Sequence, residues 1–212
     1  MVTLDFGLVQ DSHARLRRTL AGLTDAGARR PSLLPGWTVG HVLAHLARNA
    51  DSHVRMLDGA RRGEVADQYP GGNEQRAADI EAGAGRPAAE LVADVVGSAA
   101  RLEDAWAATP AEARRTGQGR VVSGLWPLAD LPFRRWREVE IHHVDLGLTY
   151  GIDDWPGAYV DAELDRALPS LDARLPAGAR VDVASLDRRR LLAWLVGRGT
   201  EPELPALAPW TG

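Results

Sequence analysis

With 212 residues, 45% of them apolar, the chain can bury one large core, or one core plus a small second one. The net charge is −4 with acids and bases interspersed, so no basic stripe awaits a phosphate backbone and nucleic acid is excluded as an expected partner. All 25 basic residues are arginine and cysteine is absent, which removes a side-chain Schiff base, a disulfide, a thiolate metal ligand and a protein thiol nucleophile. Any sulfur chemistry must use a thiol brought from outside.

No apolar run approaches the roughly 20 residues that cross a bilayer. The start, Met1-Val2-Thr3-Leu4-Asp5, shows no basic patch followed by an apolar stretch. A cytoplasmic protein without a membrane partner is the expectation.

The first predicted helix runs from about Leu8 to Ala26, with Leu16, Leu20 and Leu23 at helical spacing. Pro31 and Pro35-Gly36 then break the chain. Thr38 suits the N-cap of a second helix, with Trp37 placed to staple onto Val42. Its apolar stripe (Val42, Leu43, Leu46, Met56, Leu57) reaches Gly59, while His41, His45, Asn49 and His53 form a polar stripe at four-residue intervals. Residues 63–87 read as a Gly-rich loop with one short charged helix near 73–81. A third long helix follows from about Pro87 to Ala108, with Leu91, Val95, Leu102 and Trp106 inward.

Residues 116–130 read as extended or irregular, with a short strand or loop ending at Trp126-Pro127. The fourth long helix starts near Leu131-Pro132, proline suiting its first turn, and stops near Gly147–Gly151. Asp153-Asp154-Trp155-Pro156 reads as a domain joint, so residues 1–153 are expected as one domain and 154–212 as a small second one. That second part is expected to hold a helix over 158–174, a short strand over 180–183 and a helix over 186–196, then a proline-rich tail. The fold class is mainly α: four long helices with a small α/β appendage.

One set of side chains carries chemistry. Glu138 and His142 are four apart on the fourth helix, hence stacked on one face. If His45 of the second helix points into the same interior, two imidazoles and a carboxylate converge and leave a fourth position open, the pattern of catalytic zinc. Polar groups on a helix as apolar as this one (Trp136, Val139, Ile141, Val144) need partners, and a metal satisfies His and Glu together. His143 is the rival to His142, and His41 the rival to His45. Asp145 is either an acceptor for a ligand's ring N–H or a helix-end charge.

The stretch Ser32-Leu33-Leu34-Pro35-Gly36-Trp37-Thr38-Val39-Gly40-His41-Val42-Leu43-Ala44-His45-Leu46-Ala47-Arg48-Asn49-Ala50 resembles the opening motif of the mycothiol-dependent maleylpyruvate isomerases of the DinB-like superfamily. Arg137-Glu138-Val139-Glu140-Ile141-His142-His143-Val144-Asp145-Leu146 resembles the second metal motif of that family. Leu191 to Gly199, closing in Gly197-Arg198-Gly199, resembles a third, and the likeness loosely spans the chain. It implies a DinB-like four-helix bundle with a C-terminal appendage, here shortened, and a divalent metal, typically zinc, on His45, Glu138 and His142. It also implies mycothiol as cofactor and Arg198 over the active site, binding a small carboxylate substrate. The alternative for Arg198 is a helix-end cation answering the dipole.

The implied reaction is cis-trans isomerisation of maleylpyruvate to fumarylpyruvate by thiolate addition and elimination. The alternatives are a mycothiol S-transferase acting on another electrophile, and a non-catalytic helical protein that binds a ligand or partner. A monomer or small homo-oligomer is expected.

Overall fold

The computed structural model describes residues 4–199 and 201–210. The chain divides into two compact units, Met1–Gly147 and Leu148–Gly212. Among the described residues the architecture is mainly helical, with one small sheet.

The first unit is built around α3 (Val39–Arg61). Thr38 caps it: its hydroxyl accepts from the backbone N–H of His41, whose ring returns to the Thr38 backbone. Val42, Leu43, Leu46, Ala47, Ala50 and Leu57 on this helix are fully buried. Each fully buried leucine contributes about 1.5–3 kcal/mol over an exposed one. At the start of α3 a glycine lets neighbouring chain approach closely. Gly40 has no room for a Cβ, since the carbonyl oxygens of Ala84 and Ala28 occupy that space.

Around α3 pack α4 (Gly72–Ala84), α5 (Ala88–Ala108) and α7 (Leu131–Asp145), while α1 (Gly7–Thr19) lies against α5 and α7. Two short helices, α2 (Asp25–Arg29) and α6 (Ala111–Thr116), fill corners. The long first helix expected to Ala26 ends at Thr19. Gly22 takes a left-handed φ of 82°, and Thr24 starts α2 by accepting from the Gly27 N–H at 3.1 Å. In contrast, α4 is longer than the sequence predicts. Helical residues extend through Gly83, whose bare α-carbon lets the helix rest on Ala44 of α3.

The segment expected to be irregular forms a hairpin of β2 (Gln118–Val121) and β3 (Gly124–Pro127), with β1 (Ala66–Asp67) parallel to β2 on its other side. Val122 and Ser123 make the turn, and Gly124 follows at φ 130°. Gly119 faces Met56 of α3 without a side chain between them, so the sheet sits against the end of that helix.

The second unit holds α8 (Gly157–Ala167), α9 (Leu171–Arg174) and α10 (Arg188–Leu195). Trp155, Tyr159, Leu192 and Leu195 make its core, the two aromatic rings meeting edge to face at 5.9 Å. The predicted strand over 180–183 does not form. Asp182 instead caps a single 3-10 turn, Val183–Ser185, accepting from the Ala184 N–H at 3.2 Å. A lone strand has no ladder partner, and among its described residues this unit has no other strand. Among its described residues the appendage is therefore helical, and the three-stranded sheet lies in the first unit. The proline-rich tail is tied down where Trp194 Nε1 donates to the Pro205 carbonyl at 3.0 Å.

No helix among the described residues is long and apolar enough to cross a membrane.

Candidate metal centre

His45 lies two turns into α3, and Glu138 and His142 lie one turn apart on α7. One ligating atom from each lies within 4.8 Å of the others, the closest approaches being 2.9 Å from His45 Nε2 to Glu138 Oε2 and 3.6 Å from His142 Nε2 to the same oxygen. A tetrahedral ion with bonds near 2.1 Å would separate its ligand atoms by about 3.4 Å, between these two distances. The two imidazoles meet edge to face at 4.5 Å. The donor set of two imidazoles and a carboxylate thus fits a zinc-like ion.

The electrostatics agree. Burial, helped by the neighbouring His142, pushes His45 down to about 4, so the ring is neutral near pH 7, the form that offers a lone pair. Burial works to raise the Glu138 carboxyl. The hydrogen bond from His45, with the electrostatic pull of the surrounding imidazoles, outweighs it and holds the group well below the usual carboxylate range. The pair is therefore an ionised carboxylate beside a neutral ring.

Each rival histidine has other work. His41 belongs to the Thr38 cap and reaches Glu81 at 3.2 Å. His143 turns to α1, where its Nε2 meets Thr19 Oγ1 at 2.8 Å. Asp145 meets His142 Nδ1 at 2.8 Å, the contact expected of an acceptor for a ligand's ring N–H. Trp37 stands beside the His41 and His45 rings, at 6.1 and 5.8 Å.

His45 and Glu138 open onto a cleft of about 300 Å³, walled by Asn49, Tyr69, Arg76, Val121 and Trp126 among others. Arg76, on α4, approaches His45 Nδ1 at 3.1 Å. Trp126, on β3, is held by the Arg134 guanidinium 3.5 Å above its ring, which fastens the hairpin to α7 one turn before Glu138. Arg76, Tyr69 and Trp126 carry no local signal that marks them in the sequence. Asn49 was visible there as a member of the polar stripe.

Beneath the cleft a second polar chain crosses the bundle. Arg135, fully buried, donates through Nε to His13 Nε2 at 3.0 Å and through one terminal nitrogen to the Leu46 carbonyl and Asn49 Oδ1 at 2.9 and 2.8 Å. His13 in turn meets Glu103 at 2.8 Å. Nearby, Ser12 and Arg15 of α1 clasp the buried Glu140 of α7. Arg198 follows α10 in the second unit, where its guanidinium donates to the Val196 carbonyl at 2.9 Å.

A helical bundle with a His-Glu-His cluster on two of its long helices defines a class of metal-site scaffolds. The family model for the mycothiol maleylpyruvate isomerase N-terminal domain matches residues 9–147, and the chain belongs to that family. The structure is similar to the crystal structure of the mycothiol-dependent maleylpyruvate isomerase, with a TM-score of 0.85 at 24% identity, covering 99% of this chain and 100% of that one. A mutant form of that enzyme matches equally well. No curated protein sequence matches the chain.

Proposed function

We propose that the protein is a metal- and thiol-dependent enzyme that isomerises a small unsaturated carboxylate, in the manner of maleylpyruvate to fumarylpyruvate, with mycothiol as the thiol. The observation that carries this is the convergence of His45, Glu138 and His142 within 4.8 Å beside an open cleft. Family membership and the likeness to a mycothiol-dependent isomerase support it.

His45, Glu138 and His142 would hold the metal, preferably zinc given nitrogen and oxygen ligands. A bound zinc-like ion lowers the pKa of a coordinated thiol, so that thiolate is present at neutral pH. A chain without cysteine needs that outside thiol as its nucleophile.

The protein's own groups supply the rest. Neutral His45 ligating through Nε2 carries its proton on Nδ1, so it no longer accepts from Arg76. The Arg76 guanidinium is then available to a substrate carboxylate in the cleft. A cation there also stabilises the enolate-like charge that develops as a nucleophile adds to the double bond. Trp126 and Val121 give the cleft an apolar side. The resemblance of Gly197-Arg198-Gly199 to the family's third motif supports a carboxylate-binding role for Arg198, and Arg198→Ala should raise KM with metal content unchanged.

The test combines metal analysis with turnover. Wild-type protein should hold about one zinc per chain and Glu138→Ala should hold little. Mycothiol and maleylpyruvate should yield fumarylpyruvate with the loaded protein and none after chelation. No turnover by a metal-loaded sample sinks the isomerase assignment. Thiol consumed against another electrophile would identify a transferase instead.

A further inference from the structure

We propose that Asn49 is a ligand-contacting residue of the cleft, offering its amide N–H donors to a carboxylate or carbonyl oxygen of the substrate. The inference rests on the metal-dependent reading above and names a group which that reading does not use.

The orientation of Asn49 follows from its buried neighbour. A guanidinium only donates, so the Asn49 atom 2.8 Å from Arg135 must be the carbonyl oxygen Oδ1. Arg135 is held at two further points: the same terminal nitrogen also donates to the Leu46 carbonyl at 2.9 Å, and Nε donates to His13 Nε2 at 3.0 Å. His13 is held in turn: accepting at Nε2 fixes its proton on Nδ1, which donates to Glu103 at 2.8 Å. A chain of groups with fixed donor and acceptor roles therefore sets the Asn49 amide, leaving Nδ2 on the opposite side.

Asn49 is only 3% exposed, and it lines the cleft together with His45, Glu138 and Arg76. Its Oδ1 is taken by Arg135, whereas Nδ2 has no protein partner among the described residues and is not sealed in the interior. A buried amide with one half satisfied and the other half open to a cavity leaves donors that a ligand oxygen can fill. Together with the Arg76 guanidinium, it offers the cleft donors that suit an acceptor-only ligand group such as a carboxylate.

The test uses the full-length protein reconstituted with zinc and maleate as the probe, with binding read by calorimetry and zinc by elemental analysis. Asn49→Asp keeps an acceptor for Arg135 and removes the donors. Asn49→Leu removes them without adding charge. Both should retain zinc and lose maleate affinity by about ten- to a hundredfold. A merely structural asparagine predicts that Asn49→Asp, now paired with Arg135, binds maleate as before. If Asn49→Leu stays within twofold of wild type, or if both variants lose zinc, the proposal is overturned. Wild type that holds zinc but ignores maleate overturns the assignment of the donors and leaves the metal centre standing. Wild type without zinc overturns the metal reading, and the same maleate titration on the metal-free proteins then decides Asn49 alone.

Discussion

His142 Nδ1 lies 2.8 Å from a carboxylate oxygen of Asp145, a side chain only 1% exposed. The contact makes Nδ1 the donor nitrogen and leaves Nε2 on the side of Glu138. Asp145→Asn offers an amide that can donate as well as accept, so control of the tautomer is lost. Zinc affinity should fall about ten- to a hundredfold, measured by competition with a chromogenic chelator. An unchanged affinity would reduce Asp145 to a helix-end charge.

Stability should decline in acid for reasons separate from the metal ligands. Burial pushes His13 down to about 4, against the opposing hydrogen bond to Glu103, and pushes His53 down to about 3. Both folded values lie below the unfolded value near 6.5, so between them the unfolded chain binds more protons. The stabilisation is complete above about pH 6.5 and is lost as pH falls toward 4, His13 alone withdrawing on the order of 3 kcal/mol. Melting curves of chelator-treated protein from pH 7.5 to 4.5 should show this fall, and His13→Gln should flatten it.

Arg135 is a buried cation whose direct partners are neutral: a ring nitrogen, a main-chain carbonyl and an amide oxygen. Arg135→Ala leaves two buried side-chain acceptors, His13 Nε2 and Asn49 Oδ1, without a donor and opens a cavity. The expected cost is about 3 kcal/mol or more in urea unfolding. A loss below 1 kcal/mol would mean that water replaces the guanidinium.

Two helical glycines should respond with opposite signs. At Gly40 a methyl group meets the main-chain oxygens of Ala84 and Ala28, so Gly40→Ala should cost about 1–3 kcal/mol. At Gly97 in α5 it meets only the flexible end of Arg101 at 3.4 Å, so Gly97→Ala should gain about 0.5–1 kcal/mol. Melting temperatures of the two variants, compared side by side, check the pair.

The long helices were legible because their apolar spacing and caps are local. Thr38 announces α3, and Pro132 in the first turn announces α7. The break after Thr19 leaves no mark in the leucine spacing, which runs on past it, while the left-handed turn at Gly22 depends on one residue. The strand expected at 180–183 failed for the converse reason: β-prone residues alone do not form a strand without a neighbour to pair with.

At the candidate site the sequence by itself determined the chemistry on offer, namely two imidazoles and a carboxylate in place of any thiol, with helical spacing aligning Glu138 and His142. Tertiary structure alone decided that His45, 93 residues before Glu138, meets it at 2.9 Å. It also decided that Arg76, Trp126 and the Arg135-anchored Asn49 surround them. Spacing along a helix fixes which side chains share a face, because 3.6 residues make a turn. Which faces then meet across a bundle depends on packing between distant segments, and here on bare α-carbons such as Gly40 and Gly83 that let the helices close.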